Sequence, residues 1–188
     1  MDEIVKAALK KWPNVPHCYD WLGLDARGDW YLRDGATQQA GPFPQSKGSR
    51  ILHDKLKAFI ERNYDVDARG AWFFQNGPQR VYVALEAAPW VLGVQARDEG
   101  GFRIDTHTGR EVAQVAATWL DERGRLFLAT DLGLGVVRSP DMVAASDAVE
   151  ALGWVPQEAP FDSLPDRYGY QLSPTADVAS ATQAAPAA

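Results

Sequence analysis

Sulfur and imidazole side chains are scarce in this sequence of 188 residues, which has one cysteine and three histidines. Cys18 has no partner for an internal disulfide and is part of no CxxC metal or redox motif. His17, His53 and His107 lie too far apart along the chain to form a metal-binding pair of the HxxxH type. We therefore expect neither a metal nor a cofactor.

Long apolar runs are also missing. A stretch such as AAPWVLGV at 87–94 is far shorter than the roughly 20 residues that span a bilayer. The N-terminus begins with Asp2 and Glu3 and alternates charged with apolar residues, whereas a secretory signal needs a basic start and an uninterrupted apolar segment. We expect a cytoplasmic protein that makes no contact with a membrane.

Positive charge is not in excess, because the net charge is −6 and the pI is near 5.0. A duplex-binding domain usually presents a clustered basic face, so we do not expect a nucleic-acid partner. The sequence has one basic cluster, formed by Lys47, Arg50, Lys55, Lys57 and Arg62. We interpret it as the solvated face of a helix, with contact to a polyanion as the alternative.

One nine-residue pattern is present three times, as LDARGDWYL at 24–32, VDARGAWFF at 66–74 and LDERGRLFL at 120–128. Each copy contains an Asp-x-Arg-Gly unit. A hairpin built on a type I turn favours Asp at the first position, where the carboxylate accepts a backbone N–H, and Gly at the fourth, where φ is positive. We predict structural turns with exposed arginines; the alternative is a ligand-binding repeat in which the arginine holds the ligand.

Alternating apolar residues between turn signals predict a chain that is mostly β. Helices are predicted from Glu3 to Trp12, from Ser49 to about Asn63, and from Ser139 to about Leu152. The predicted strands lie near 20–25, 29–33, 64–67, 71–75, 79–86, 90–97, 102–106, 111–120, 125–129 and 134–138. The expected fold is therefore α+β, with mostly antiparallel strands and an imperfect duplication.

We divide the chain into three parts. Residues 1–63 form a module of helix, hairpin and amphipathic helix, and 64–155 form a larger antiparallel meander with a C-terminal helix. Residues 156–188 are expected to be a loop-like extension with a mobile tail from 176. The meander is expected to curl toward a barrel, for which the pleckstrin-homology barrel is an analogy.

Apolar patterns predict how these elements pack. Leu52, Leu56, Phe59 and Ile60 form one stripe on the second helix, and this stripe must lie on a sheet. The strand at 79–86 alternates apolar with polar residues, which predicts a single buried face. The strand at 71–75 has aromatic residues on both faces, so its second face needs barrel closure, a helix or a partner.

Motifs of known enzymes are missing. The sequence has no GxxxxGK[ST], GxSxG or HExxH motif, and GLGVVR at 133–138 lacks the third glycine of a dinucleotide loop. His17 and Cys18 are neighbours in an extended segment, so their side chains point to opposite sides and cannot form a nucleophile-base dyad.

These observations favour a non-enzymatic module that binds a small ligand, a peptide or a second copy of itself. The candidate ligand-binding residues are Glu86, Trp90, His107 and Arg110. The alternative is an enzyme with a non-standard site at the turn from Asp105 to Arg110, with Glu86 nearby. An exposed His107 without a pocket would remove the basis for the enzyme, whereas a cleft that joins it to Glu86 or Cys18 would favour it.

A β-turn before WYL, an amphipathic helix, a second hairpin, RVYVALEAAPWVLGV and RIDTHTGREV follow one another along the chain. Over about residues 20–155 this succession resembles an uncharacterised proteobacterial family of unknown function. In that family a strand rich in Val and Glu runs into an acidic-Ala/Asp-Pro-aromatic corner, here Glu86 to Trp90, with Ala88 at the second acidic position. The resemblance implies a fold and no catalytic residues.

Overall fold

The computed structural model describes residues 1–175. Five α-helices lie in this part of the chain: α1 (Glu3–Lys11), α2 (Gly35–Ala40), α3 (Asp54–Arg62), α4 (Met142–Ala151) and α5 (Leu164–Tyr168). The strands are β1 (Cys18–Leu24), β2 (Trp30–Leu32), β3 (Ser49–Arg50), β4 (Tyr64–Val66), β5 (Trp72–Asn76), β6 (Gln79–Leu85), β7 (Trp90–Ala96), β8 (Phe102–Thr106), β9 (Val115–Leu120), β10 (Leu126–Thr130), β11 (Gly133–Val137) and β12 (Gln157–Glu158). Each of the predicted strands and helices is present, with shifted ends.

The strands form two six-stranded sheets. Sheet 1 has the order β3-β2-β1-β6-β5-β4, and sheet 2 has the order β12-β9-β10-β11-β7-β8. In both sheets a hairpin pairs in parallel with the last strand of a three-stranded meander, through β1–β6 in sheet 1 and β7–β11 in sheet 2. The sequence-based boundary at residue 63 runs through sheet 1, because β4, β5 and β6 lie in the same sheet as β1, β2 and β3.

The predicted α+β fold is confirmed, but the barrel is wrong. Both sheets are open in the described residues, with β3 and β4 at the edges of sheet 1 and β12 and β8 at the edges of sheet 2. The sheets are mixed, because β1–β6, β7–β11 and β9–β12 pair in parallel while the other pairs are antiparallel. Parallel pairing joins strands that are distant in sequence, which alternation along one strand does not indicate.

The two sheets share one hydrophobic core, and α4 covers the other face of sheet 2. In β10, Phe127 and Ala129 pack into the shared core, whereas Leu126 and Leu128 pack against the side that α4 covers. This division follows from the period of two along a strand. The prediction that the helix near 140–152 packs on the meander is confirmed.

The outer face of sheet 1 is covered by its own side chains. Tyr82, on β6, is 2% exposed and stacks on Tyr19 at 4.6 Å. Phe73, on β5, lies beneath the guanidinium of Arg80 at 4.4 Å. The prediction of one buried face for the strand at 79–86 is wrong, because β6 is a central strand with aromatic cover on its second face.

The segment after residue 155 was expected to be loop-like, but it contains β12, a 3₁₀ helix and α5. It crosses from sheet 2 to sheet 1. The Tyr170 hydroxyl donates to the Ala87 carbonyl at 2.9 Å, and the Leu85 N–H donates to the Leu172 carbonyl at 2.7 Å. We call residues 156–175 the strap; the predicted mobile tail, 176–188, lies outside the described residues.

Helix starts differ in detail from the prediction. The helix predicted from Ser49 begins at Asp54, because Ser49 belongs to β3. His53 Nδ1 accepts the N–H of Leu56 at 3.3 Å at the start of this helix.

Within residues 1–175, no helix combines the length and apolar character needed to cross a membrane.

Candidate functional site

The three Asp-x-Arg-Gly units form hairpin turns of the predicted kind, here named turn 1 (25–28), turn 2 (67–70) and turn 3 (121–124). In turn 1, Asp25 Oδ1 accepts the N–H groups of Arg27 at 2.9 Å and Asp29 at 3.0 Å. The carboxylates of turns 2 and 3 accept the corresponding pairs of N–H groups. The fourth residue of each turn has a φ of 88°, 76° or 74°, a conformation that glycine adopts without strain.

Turns 1 and 3 border a cleft of about 320 Å³ at the junction of the two sheets. The sheet 1 side carries Arg27, Lys47 and Glu86, and the sheet 2 side carries Arg123 and Arg125. Its apolar floor is formed by Val136, Val137 and Met142. The turns thus have a structural role, and two of them also bring arginines to one cavity.

Lys47 lies between two carboxylates in this cleft. Its Nζ is 3.0 Å from Asp25 Oδ2 and 2.7 Å from Glu86 Oε2. Burial alone would lower the pKa of Lys47, but the hydrogen bonds to Glu86 and Asp25 outweigh this effect and raise it. The ammonium is therefore held in its charged form, and both carboxylates are engaged.

A buried arginine fixes the loop that carries Lys47. Arg33 is 1% exposed, and its guanidinium donates to the carbonyl oxygens of Gly41 (2.6 Å), Ser46 (3.0 Å) and Asp20 (3.1 Å). These bonds tie both ends of residues 41–46 to β1 and β2. Lys47 follows directly, so its position in the cleft is set by folded structure and not by a freely moving loop.

The arginines of the cleft differ in how far they are neutralised. Arg125 pairs with Asp121 at 2.7 Å and lies over the Phe161 ring at 4.2 Å. Arg27 and Arg123 are exposed, and neither guanidinium forms an ion pair with a carboxylate among residues 1–175. With Arg27, Lys47, Arg123 and Arg125 against Asp25 and Glu86, the lining carries an excess of positive charge in a chain of net charge −6.

The candidate residues predicted from sequence separate into two places. Glu86 lies in the cleft. Trp90, His107 and Arg110 lie together elsewhere: the rings of Trp90 and His107 are 5.8 Å apart, and the Arg110 guanidinium is 5.3 Å from the Trp90 ring. The Trp90 indole N–H donates to the Leu132 carbonyl at 2.6 Å, which fixes this side chain within the fold.

The imidazole of His107 is enclosed by the rings of Trp30, Tyr64 and Trp90. Its Nδ1 accepts the N–H of Val91 at 3.2 Å, so the neutral ring carries its proton on Nε2, which is buried and has no hydrogen-bond partner in residues 1–175. Burial lowers the pKa of His107 to about 3. The residue is half-buried, but its Nε2 is not exposed, so a neutral imidazole in this position is suited to packing.

A second surface is an apolar recess of about 300 Å³ between α3 and sheet 1. Its lining includes Trp21 and Leu32, which are 49% and 50% exposed, together with Leu56 and Phe59 of the predicted helix stripe. Cys18 also lies here, whereas His17 is exposed and packs edge-on against Tyr82.

Carboxylate and imidazole groups are dispersed in the described part of the chain. No three His, Cys, Asp or Glu side chains of residues 1–175 are close enough together to hold a metal ion. The cleft offers mainly guanidinium and ammonium groups, which bind anions instead.

Comparison with known proteins gives a family and no activity. A family model described as "Protein of unknown function (DUF2946)" matches residues 1–175. The chain belongs to this family. Its expected membership of an uncharacterised family is thus confirmed, and no curated protein matches the sequence.

Two solved structures of DUF1285 family proteins are similar to the chain. The protein from Shewanella baltica OS155 has 15% identity and a TM-score of 0.45, covering 69% of this chain and 92% of its own. The protein from Silicibacter pomeroyi DSS-3 has 12% identity and a TM-score of 0.48, covering 78% of this chain and 84% of its own.

Sequence reasoning did not identify the cleft, although it identified several of its residues. The sequence places Lys47 in one basic cluster with residues up to Arg62, but the structure separates them. Arg50 pairs with Asp29, Lys57 with Asp54 and Arg62 with Asp2, while Lys47 enters the cleft. The repeated arginine of the turns was the available signal, but only tertiary structure shows which two turns meet.

Proposed function

We propose that this protein is a non-enzymatic binding module that takes a small anionic ligand in the cleft between turns 1 and 3. The observation that carries the proposal is the pair Arg27 and Arg123. Both residues line the cleft from opposite sheets, and neither guanidinium forms an ion pair with a carboxylate of residues 1–175. Unpaired guanidinium groups favour binding of a carboxylate or phosphate.

The dimensions of the cleft support a small ligand. Its volume of about 320 Å³ lies at the lower end of the range of ligand pockets, which is roughly 300–1,000 Å³. The apolar floor adds contact area, and charged groups at the rim provide orientation. A junction between two packed units is also a common position for such pockets.

The carboxylates of the cleft support binding over catalysis. Asp25 and Glu86 both accept hydrogen bonds from Lys47, so both already position the ammonium of the cleft. The enzyme alternative at 105–110 has less support. His107 is enclosed and neutral, and Asp105 pairs with Arg103 at 2.8 Å.

The decisive experiment compares two double variants by isothermal titration calorimetry with phosphate, sulfate, citrate and benzoate. Arg27→Ala/Arg123→Ala removes both unpaired charges of the cleft. Arg97→Ala/Arg103→Ala removes the same charge from the hairpin of β7 and β8, where the two arginines pair with Glu111 and Asp105. We expect at least one anion to bind the native protein and the control, with affinity reduced about tenfold or more in the cleft variant.

The proposal is refuted if no anion of the panel binds the native protein at millimolar concentration, or if both double variants bind as the native protein does. Equal weakening in both variants would also refute the proposal, since long-range charge would then account for the effect.

We further propose a cytoplasmic location, supported by the single Cys18, which leaves no internal disulfide.

A further inference from the structure

We infer that the ligand of the cleft is a phosphate monoester in its dianionic form, with an apolar organic group that packs on the floor. This inference rests on the proposed function, since it names the class of anion that the same cleft selects. It is carried by the arrangement of the cations on two opposite walls and by the apolar residues between them.

Arg27 and Arg123 approach the cleft from different sheets, Arg27 from turn 1 and Arg123 from turn 3. A carboxylate is planar and presents its two oxygens along one edge, which suits a single guanidinium in a bidentate pair. A phosphoryl group has three terminal oxygens in a tetrahedral arrangement, so it accepts hydrogen bonds from both walls at once. Its charge of about −2 also matches the two unpaired guanidinium groups.

Lys47 supplies a third donor. An ammonium group has three N–H bonds, and hydrogen bonds to Asp25 and Glu86 use two of them. Its side chain is 34% exposed in the cleft, which leaves the third N–H available to a phosphoryl oxygen. The hydrogen bonds to the two carboxylates fix the ammonium without cancelling the charge of Arg27 or Arg123.

The floor selects for an organic group. Val136 and Val137 are 1% and 4% exposed, so the accessible apolar surface of the floor comes mainly from Met142. Met142, the first residue of α4, is unbranched and adapts to the shape of its neighbour. Inorganic phosphate would leave this surface uncovered, whereas an ester with a ring or short alkyl group would bury it.

The experiment is a calorimetric ligand series on the native protein at pH 7.5, with phenyl phosphate, phenyl sulfate, benzoate and inorganic phosphate as probes. Phenyl sulfate keeps the tetrahedral shape with one charge fewer, benzoate is planar, and inorganic phosphate lacks the ring. We expect phenyl phosphate to bind about tenfold or more tightly than each of the other three.

Two single variants test the assignment of walls and floor. Arg123→Ala removes the unpaired guanidinium on the sheet 2 side, so phenyl phosphate should no longer bind more tightly than benzoate. Met142→Ala removes floor contact, so phenyl phosphate should lose affinity while inorganic phosphate binds as before. Circular dichroism and thermal melts of both variants establish that they are folded.

The outcomes separate this inference from the proposed function. If benzoate or phenyl sulfate binds as tightly as phenyl phosphate and depends on Arg27 and Arg123, the phosphate assignment is wrong and the anion-binding cleft stands. If inorganic phosphate equals phenyl phosphate, the role of the floor is refuted. If none of the probes binds, both the inference and the proposed function fail.

Discussion

Gly70 and Gly124 occupy the same position in turns 2 and 3, but their surroundings differ. Both have positive φ, 76° and 74°. A Cβ on Gly70 would lie 2.0 Å from the Gly169 carbonyl oxygen of the strap, whereas a Cβ on Gly124 would meet nothing within 4 Å. The two positions therefore separate the cost of backbone strain from the cost of a clash.

We predict that Gly124→Ala lowers the free energy of unfolding by about 1–2 kcal/mol, the cost of a left-handed conformation for a residue with a Cβ. Gly70→Ala should cost roughly 3 kcal/mol or more, because the backbone of the strap must also move. Urea denaturation followed by tryptophan fluorescence measures both. Equal costs in the two variants would show that the strap yields easily at Gly169.

The conformation of the turns could be predicted from sequence, because Asp and Gly satisfy local backbone requirements. The contacts of each turn with other elements could not be predicted. Arg69 is exposed, as expected, but it also pairs with Asp67 at 3.1 Å and lies over the Tyr82 ring at 5.7 Å. The contact with Tyr82 joins the turn to β6, and no local pattern encodes it.

At the scale of elements, α3 packs on sheet 1 with only part of its apolar stripe. Ile60 is 2% exposed, and Phe59 packs edge-on against Phe74 at 5.4 Å. Leu56 is 36% exposed at the rim of the apolar recess, and Leu52 is 69% exposed ahead of the helix. The stripe predicted from sequence therefore divides into a buried end and an accessible end.

This division predicts unequal effects of truncation on one helix. Ile60→Ala should destabilise the protein by about 2–5 kcal/mol, because it removes a filled core position and leaves a cavity. Leu56→Ala should cost about 1 kcal/mol or less, since much of its surface already contacts solvent. Thermal and urea unfolding of the two variants provide the comparison. Comparable losses would indicate that the recess is closed around Leu56 in solution.

Strongly patterned elements could be predicted from sequence, but several of the shortest ones could not. The two-residue strands β3 and β12 are too short for alternation to be recognised. The helix α2, with sequence GATQQA, has no buried residue and therefore no apolar stripe. The cleft is not local either, since Asp25 and Glu86 meet through the parallel pairing of β1 with β6, and Arg123 joins them only when the sheets pack.

At the scale of the whole molecule, an aromatic cluster joins the two sheets around His107. Trp30 and Tyr64 belong to sheet 1, and Trp90 belongs to sheet 2. The rings of Trp30 and Tyr64 lie 5.6 Å and 5.7 Å from the imidazole. A Cβ on Gly28 of turn 1 would lie 3.1 Å from the His107 Cβ, so turn 1 also packs here.

This position makes the junction of the sheets sensitive to acid. Burial lowers the pKa of His107 to about 3 in the folded protein, against 6.5 as its ordinary value. Between these values the unfolded chain binds a proton that the folded chain does not, so stability falls as the pH decreases below about 6.5. Each pH unit contributes about 1.4 kcal/mol, which gives roughly 2 kcal/mol at pH 5.

We therefore predict that His107→Asn reduces the loss of stability between pH 7 and pH 5 by about 2 kcal/mol relative to the native protein. Asparagine retains an acceptor for the Val91 N–H but does not titrate in this range. The matched control is His53→Asn, because His53 is exposed and asparagine also suits the start of a helix. Urea denaturation at both pH values gives the change in the free energy of unfolding between pH 7 and pH 5 for the native protein and the two variants. The same change in the native protein and in His107→Asn would mean that solvent reaches the imidazole. The aromatic cluster would then not be a closed junction between the sheets.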